Sequence, residues 1–187
     1  MRRQDEEKKS RIKNAVVKVV LEEGLSGVSI SKIAKSAGVS PATVYVYYES
    51  KDDMMKSMLM EYASMLWQAV QENVTLEQSG QQIIDTLAHN YYHYMVRHEM
   101  EFSFVEQFLS CPAFARNFSE QEQIQQILVL FQELKQRKVF KSYNDTNLFA
   151  ILFGSIKMLR ISNTVYSVGD EAMLGELIKI LQDTILQ

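Results

Sequence analysis

Three side chains in the middle of the chain have the types and the spacing of metal ligands. Asp85, His89 and His93 follow one another at intervals of four residues, so a helix would place them on one face. No cysteine or further carboxylate cluster offers a fourth ligand, and tyrosines lie between the histidines. We therefore predict no metal site, and we expect the histidines to line a pocket or a subunit surface.

No other group of residues indicates catalysis. The single cysteine, Cys111, lies in the segment LSCPAF without a nearby base, which favours an ordinary half-buried thiol over a nucleophile. The chain has no glycine-rich phosphate loop, no G-x-S-x-G motif and no H-E-x-x-H motif. The sequence thus predicts a protein that is not an enzyme and that needs no cofactor.

The elements that position the remaining candidates are predicted to be helices. Seven Gly and two Pro in 187 residues are too few for the many turns of a β-sandwich or barrel. Apolar residues recur at intervals of three and four, as on one face of a helix. This pattern predicts an all-α fold of about nine helices, near residues 5–23, 30–37, 41–47, 51–73, 80–98, 101–110, 119–137, 145–166 and 170–186.

The segment Ser29–Lys51 contains the strongest functional signal. Ser29 suits the N-cap of one short helix, and Gly38 suits the left-handed turn that ends it. Ser40 and Pro41 suit the start of the next helix. Two short helices joined by a tight glycine turn form either a helix-turn-helix motif or an ordinary helical hairpin, and spacing alone leaves both open.

The residues around and after the turn favour the helix-turn-helix. Over about residues 8–58 the chain resembles the DNA-binding head of the tetracycline-repressor (TetR) family of bacterial regulators. The matching positions are Ile33-Ala34, Ala37-Gly38-Val39-Ser40, Thr43-Val44-Tyr45, Tyr47-Tyr48 and Ser50-Lys51. Tyr48 departs from the family, which usually has Phe there. The resemblance implies a three-helix head and a helical ligand-binding and dimerisation body, although the body resembles the family only in length, helix count and an apolar C-terminal helix pair.

The resemblance also implies which residues contact DNA. It assigns phosphate contacts to Ser29, Ser31, Tyr45, Tyr47 and Lys51, and base contacts to Pro41, Ala42, Thr43 and Val46, with Ser40 at the start of the recognition helix. Hydroxyl groups, helix N-terminal N–H groups and a lysine are suitable donors to phosphate. Packing within the head is the alternative for Tyr45, and for Tyr48 it is our expectation.

The predicted recognition helix lacks the usual base-reading side chains. It contains no Arg, Lys, Asn or Gln, which make bidentate contacts with guanine or adenine. Thr43 can hydrogen-bond a base edge, while Ala42 and Val46 can contact thymine methyl groups. We expect modest discrimination from this helix, with the remainder supplied by DNA shape or by a basic N-terminal arm, unless that arm is a solvated tail. The arm contains Arg2, Arg3, Lys8, Lys9 and Arg11.

The distribution of charge separates two parts of the chain. Residues 1–56 hold 11 Lys/Arg and 8 Asp/Glu, whereas residues 57–187 hold 9 and 15. A positive head suits DNA phosphates. We predict a DNA-binding domain over residues 1–50 and an effector-binding and dimerisation domain over residues 51–187. Because no apolar run reaches the roughly 18 residues of a membrane span and the N-terminus lacks a signal sequence, we expect a cytoplasmic protein with no membrane partner.

Aromatic residues of the body predict a small apolar or flat aromatic effector. Ligand pockets are mostly apolar with a few polar groups, and one histidine offers such a group. The candidate effector-binding residues are Tyr62, Trp67, His89, Tyr92, Phe104, Phe108 and Phe131. Each of them taken alone is better explained by packing. As a group they place the effector between the fourth helix and the helices near residues 80–135.

The last two predicted helices have apolar stripes wide enough for the core of the body and for a second copy of the chain. A two-fold pair of such helices forms a four-helix interface. The candidate interface residues are Leu152, Ile156, Leu159, Leu174, Leu177 and Leu181. Gly154 and Ser155 would permit close helix approach.

These features together predict a ligand-responsive transcriptional regulator that binds a palindromic DNA operator as a homodimer, most often as a repressor in the family that it resembles. Two alternatives remain open. An architectural DNA-binding protein would lack an operator preference and an effector. A helical enzyme or metal-binding bundle would contain a bound cofactor or metal.

Overall fold

The computed structural model describes residues 2–109, 122–166 and 170–187. Over these residues the chain forms nine helices and no strand, so the predicted all-α fold is confirmed. The helices are α1 (Arg2–Glu23), α2 (Ile30–Ala37), α3 (Pro41–Tyr47), α4 (Lys51–Val70), α5 (Gly80–Arg97), α6 (Glu99–Leu109), α7 (Glu122–Gln136), α8 (Asp145–Phe149, Ala150–Gly154 and Ser155–Tyr166 in succession) and α9 (Asp170–Ile185). Of these helices, none is long and apolar enough to cross a membrane. Cys111 lies outside the described residues.

Two helices differ from their predicted form. The helix α4 ends at Val70 rather than near Asn73. Asn73 has a φ of 60°, a left-handed conformation in which an α-helix does not continue. In α8, the five residues Ala150–Gly154 form a π-helical turn, which is a local change in hydrogen bonding that apolar periodicity does not reveal.

The chain divides into two compact units. The first consists of residues 1–64 and 99–119, and the second of residues 65–98 and 120–187. The predicted domain boundary, between residues 50 and 51, falls at the first residue of α4, whereas the first unit extends to Ser64.

The first unit has a core built from the apolar faces of its helices. The helix α1 packs on α2 and α6, and α2 packs on α3. Ile12 and Val16 of α1, Ile33 of α2 and Val44 of α3 are fully buried. These positions follow helical spacing, so the small head obtains a core although α2 and α3 have only eight and seven residues. The core fixes the position of α3 relative to α1.

In the second unit, several side chains form hydrogen bonds with backbone groups at the ends of helices. Ser79 and Gln82 form a capping box at the start of α5. The amide of Asn90 donates to the carbonyls of Val70 and Glu72, where α4 ends. The ammonium of Lys141 donates to carbonyls at the C-terminal end of α9. The helices α8 and α9 pack on each other and on α5, so the C-terminal pair is part of this unit's core.

Candidate nucleic-acid interface

The α2–α3 segment has the geometry of a capped helix-turn-helix. The hydroxyl of Ser29 accepts a hydrogen bond from the backbone N–H of Lys32, at 3.4 Å, and so caps α2. Gly38 ends α2 with φ 65° and ψ 39°, and its N–H bonds the carbonyls of Ala34 and Lys35. Ser40 caps α3 by accepting from the N–H of Thr43 at 3.1 Å, and Pro41 occupies the first turn. The predicted caps and turn are confirmed.

This geometry leaves one face of α3 in solvent. Pro41 and Ala42 are exposed, Tyr45 is 56% exposed and Val46 is 77% exposed, whereas Val44 is buried beneath them. The hydroxyl of Thr43 lies 2.9 Å from that of Ser40, so the pair shares one proton and keeps the other for an outside acceptor. The predicted base-facing residues therefore occupy one accessible surface.

The predicted phosphate-binding residues lie around this surface and differ in whether their donor groups are already used within the head. Ser29 uses an oxygen lone pair for its cap and keeps its proton for donation, and Ser31 is exposed. Lys51 is the first residue of α4, after a cap in which Asp53 N–H donates to Ser50 and Asp53 accepts from Glu49 N–H. The hydroxyl of Tyr47 donates to the carbonyl of Asp5 at 3.2 Å, so its proton is already used within the head.

Tyr48 packs inside the first unit, as expected. Its ring is buried, and its hydroxyl has no hydrogen-bond partner among the described residues. Burial, together with the nearby carboxylates of Glu61 and Asp53, raises the pKa of Tyr48 to about 12. A buried hydroxyl without a partner contributes volume to the core but no polar contact.

The two central histidines form local contacts. The Nδ1 atom of His89 lies 2.9 Å from the carbonyl oxygen of Asp85 and 3.4 Å from its carboxylate, and the ring of His93 stacks at 5.9 Å. Across the described part of the chain, no three His, Cys, Asp or Glu side chains are grouped so as to hold a metal ion.

The seven predicted effector residues are divided between the two units. Tyr62, Phe104 and Phe108 form an aromatic cluster in the first unit. Trp67, His89, Tyr92 and Phe131 belong to the second unit. There Trp67 packs against Tyr91, Phe149 and Phe153, while Phe131 packs against Phe140. Sequence alone cannot say which aromatic side chains fill the core.

An open cavity of about 510 Å³ lies within the second unit and is lined by residues on or next to α4, α5 and α7, which are among the helices between which the effector was predicted to bind. It is lined by Met65, Gln68, Ala69, Gln71, Glu72, Tyr94, His98 and Gln126, none of which is among the seven. Most of these side chains are polar, whereas the prediction started from aromatic content. The helices around the cavity were predicted from the sequence, whereas the particular residues that line it were not.

The last two helices have an inner and an outer apolar surface. Leu152, Ile156, Leu174 and Leu181, four of the six predicted interface residues, are buried in the second unit's own core, and Leu159 and Leu177 are half-buried. The exposed apolar residues of these helices, which we call the outer face, are Ile151, Met158, Ile161, Met173 and Ile180. An ideal Cβ placed on Gly154 would meet nothing within 4 Å, so the backbone of α8 is open there.

An all-α chain with a capped helix-turn-helix and an exposed second helix has the architecture of a DNA-binding regulator. Residues 13–58 match the family model described as bacterial regulatory proteins, tetR family. This match covers the helix-turn-helix and the residues around it, so the head of the chain is similar to that of the family.

Three known proteins are similar to this chain. A fatty acid metabolism regulator protein of Bacillus subtilis (strain 168) is 33% identical over 72 residues, which are 38% of this chain and 37% of that protein. A TetR family transcription regulator from Marinobacter aquaeolei VT8 has a TM-score of 0.87 at 22% identity, over 100% of both chains. The fatty acid degradation regulator FadR from Bacillus halodurans has a TM-score of 0.72 at 19% identity, over 94% of each chain. At these identities the two structures show a shared fold.

Proposed function

We propose that this chain is a homodimeric transcriptional repressor that binds a palindromic DNA operator and is released by a small effector. The observation that carries the proposal is the exposed face of α3, which the caps at Ser40 and the turn at Gly38 hold outside the head's core. A second helix presented in this way fits the major groove.

The contacts follow from the chemistry of the side chains on and around this face. Ser29, Ser31, Tyr45 and Lys51 donate to phosphates, which fixes the position of the head. The bases are contacted by the α3 surface of Pro41, Ala42, Thr43 and Val46. Because only Thr43 among these can hydrogen-bond a base edge, we propose that thymine methyl contacts and DNA shape supply much of the specificity.

The outer face of α8 and α9 is the proposed dimer interface. Its five apolar side chains are exposed in a single chain, and the open backbone at Gly154 allows a partner helix to approach closely. The predicted helix pair is retained in this proposal, but the contacting residues are those of the outer face instead of the buried leucines. A two-fold dimer would present two reading heads to a palindromic site.

The DNA that the protein binds in cells tests the regulatory function. Bound DNA is recovered after crosslinking and its sequences are mapped. We expect a small number of sites that share an inverted repeat, with half-site centres separated by about one helical turn or a multiple of it. Even coverage of the genome without a shared sequence would contradict the proposal and support an architectural protein.

The proposed effector site is the cavity of the second unit. Its volume of about 510 Å³ lies within the range of small-molecule pockets. The continuous helix α4 begins at Lys51 and lines the cavity with Met65, Gln68 and Ala69. An effector that prefers a shifted α4 would therefore move Lys51, and about 1 to 3 kcal/mol of coupling would lower DNA affinity about 5- to 150-fold.

The single tryptophan provides a direct test of effector binding. Trp67 is buried on α4 between residues that line the cavity, and its indole N–H has no hydrogen-bond partner in the part of the chain that the structure describes. Because the relative from Bacillus subtilis is a fatty acid metabolism regulator, fatty acid derivatives are the first apolar compounds to titrate. We expect a bound compound to change Trp67 fluorescence and to lower DNA affinity.

Two substitutions locate the site. Ala69→Phe fills the cavity and should abolish the fluorescence change, whereas Gln132→Phe places the same ring at an exposed position outside the cavity and should not. A compound that binds both variants equally, or that binds without weakening DNA affinity, would contradict the proposed switch.

A further inference from the structure

The first turns of α1 extend beyond the part of the head that matches the family model. The match begins at residue 13, whereas α1 begins at Arg2. The buried stripe of α1 begins at Ile12 and continues through Ala15 and Val16. The positions one helical turn before Ile12 and Ala15 are Lys8 and Arg11, so the same side of the helix changes from apolar to cationic.

Two contacts place residues 2–12, which we call the extension, beside the helix-turn-helix. Near its start, the carbonyl of Asp5 accepts the hydrogen bond from the hydroxyl of Tyr47, on α3. Near its end, a guanidinium nitrogen of Arg11 lies 3.9 Å from the point that a Cβ would occupy on Gly38, in the turn between α2 and α3. The extension therefore passes close to both ends of the recognition helix.

Arg11 differs in its partners from three lysines of the head, and in this it resembles Lys8 and Lys51. Lys13 pairs with Glu61, Lys18 with Glu22, and Lys32 with Glu23. Arg11 is exposed and, within the part of the chain that the structure describes, forms no ion pair. Arg11 and Lys8 border a groove together with Gln4, Glu7 and Ser10. Among these five side chains, the carboxylate of Glu7 is the one that would repel an anion.

We infer that Arg11, assisted by Lys8, binds a DNA phosphate next to those contacted by the helix-turn-helix, and that Tyr47 positions the extension through Asp5. The inference rests on the proposed DNA-binding function. Guanidinium is the side-chain group best suited to bidentate phosphate contacts. A purely structural role for Arg11 is the competing explanation, since a cation near the C-terminal end of α2 stabilises that helix.

Salt dependence of DNA binding separates the two roles. A duplex of about 30 base pairs and arbitrary sequence is sufficient, because phosphate contacts do not depend on sequence. For Arg11→Met we expect the log–log slope of affinity against salt to fall by about one for each head bound, with about tenfold weaker binding per head near 0.1 M salt. Arg11→Lys should retain most of the slope.

Lys18→Met is the matched control, because Lys18 lies on the same helix, is exposed and already pairs with Glu22. It removes the same charge and should leave the slope unchanged. If Arg11→Met lowers the melting temperature but leaves the slope at the control value, the structural role is correct and the inference fails. If the unmodified protein binds no duplex even at low salt, the proposed function fails instead.

A double-mutant cycle tests the positioning role of Tyr47. Tyr47→Phe removes the bond to Asp5 and should weaken DNA binding only through the extension. Its effect should therefore shrink toward none when Arg11→Met is already present. Equal effects of Tyr47→Phe with and without Arg11 would show a direct phosphate contact by Tyr47 and would overturn this part of the inference.

Discussion

Apolar groups are exposed to solvent both on the face of α3 and on the outer face of α8 and α9. The two surfaces differ in the polar groups that accompany them. The α3 face combines apolar groups with two hydroxyl groups, and its residues are Pro41, Ala42, Thr43, Tyr45 and Val46. The five residues that define the outer face are long or β-branched and apolar, and the exposed Glu176 lies one helical turn from Met173 and from Ile180. The α3 face suits the major groove of DNA, where polar base edges and thymine methyl groups are exposed. The outer face suits the same apolar face of a second copy of the chain. Exposure alone thus does not identify a partner; the mixture of polar and apolar groups does.

The largest effect should come from placing a charge on the inner side of α9. Leu181 is buried in the second unit, so Leu181→Glu should lower the free energy of unfolding by about 4 kcal/mol or more, because the carboxylate has no partner there. Helical content and denaturant midpoint measure the loss. Ile180→Glu, one residue earlier on the outer face, should keep full helical content. If both variants unfold alike, the inner and outer faces are wrongly assigned.

The next effect concerns the outer face itself. Met158→Glu combined with Ile180→Glu should give folded monomers of 21.6 kDa, since like charges would meet across the two-fold interface. Binding to a palindromic duplex should fall about 100-fold or more as bivalency is lost. Sedimentation and DNA titration measure both changes. Val129→Glu alters an equally exposed apolar residue on α7 and should remain dimeric; monomers from that control would place the interface elsewhere.

A smaller effect is expected at the turn of the helix-turn-helix. Gly38→Ala forces a residue with a Cβ into φ 65° and should cost about 1 to 2 kcal/mol of stability. Gly175→Ala is the matched control, because Gly175 lies inside α9 with open space around it and should gain about 0.5 to 1 kcal/mol. Thermal unfolding distinguishes the two. Equal shifts would mean that the turn does not require glycine.

The smallest effect concerns the packed tyrosine of the head. Tyr48→Phe removes a buried hydroxyl without a partner, so stability near pH 7 should change by less than about 1 kcal/mol, towards greater stability. Because the pKa of Tyr48 is raised to about 12 in the folded chain, the neutral form stabilises the fold below pH 10 and this contribution is lost as the pH rises from 10 to 12. The variant should therefore lose less stability in that interval. Parallel pH profiles of the two proteins would contradict the assignment.

The sequence predicted structure best where the determining interactions are local. The caps at Ser29 and Ser40 and the turn at Gly38 join residues within four positions of one another, and all were predicted correctly. By contrast, periodicity identified α8 and α9 but did not separate their inner and outer sides. Leu181 and Ile180 are equally apolar, and only the packing of these helices on α5 decides which one is covered.

Candidate ligand residues of the body were harder still to predict. From the sequence, Trp67 and Phe131 could equally line a pocket or fill a core. In the structure their rings pack against Phe153 and Phe140 respectively. The cavity is bordered instead by Gln68, His98 and other polar residues from three helices. No local pattern brings such residues together, since their proximity depends on the tertiary structure.

In the proposed complex α3 reads the DNA sequence, whereas Lys51 only positions the head. Selection of bound sequences from a random duplex library, performed with the unmodified protein, Thr43→Ala and Lys51→Ala, tests this claim directly. We expect Thr43→Ala to change the preferred half-site, and Lys51→Ala to keep the preference but weaken binding to all sequences equally, with a salt slope lower by about one for each head. An altered base preference in Lys51→Ala, with an unchanged one in Thr43→Ala, would contradict these roles of α3 and Lys51.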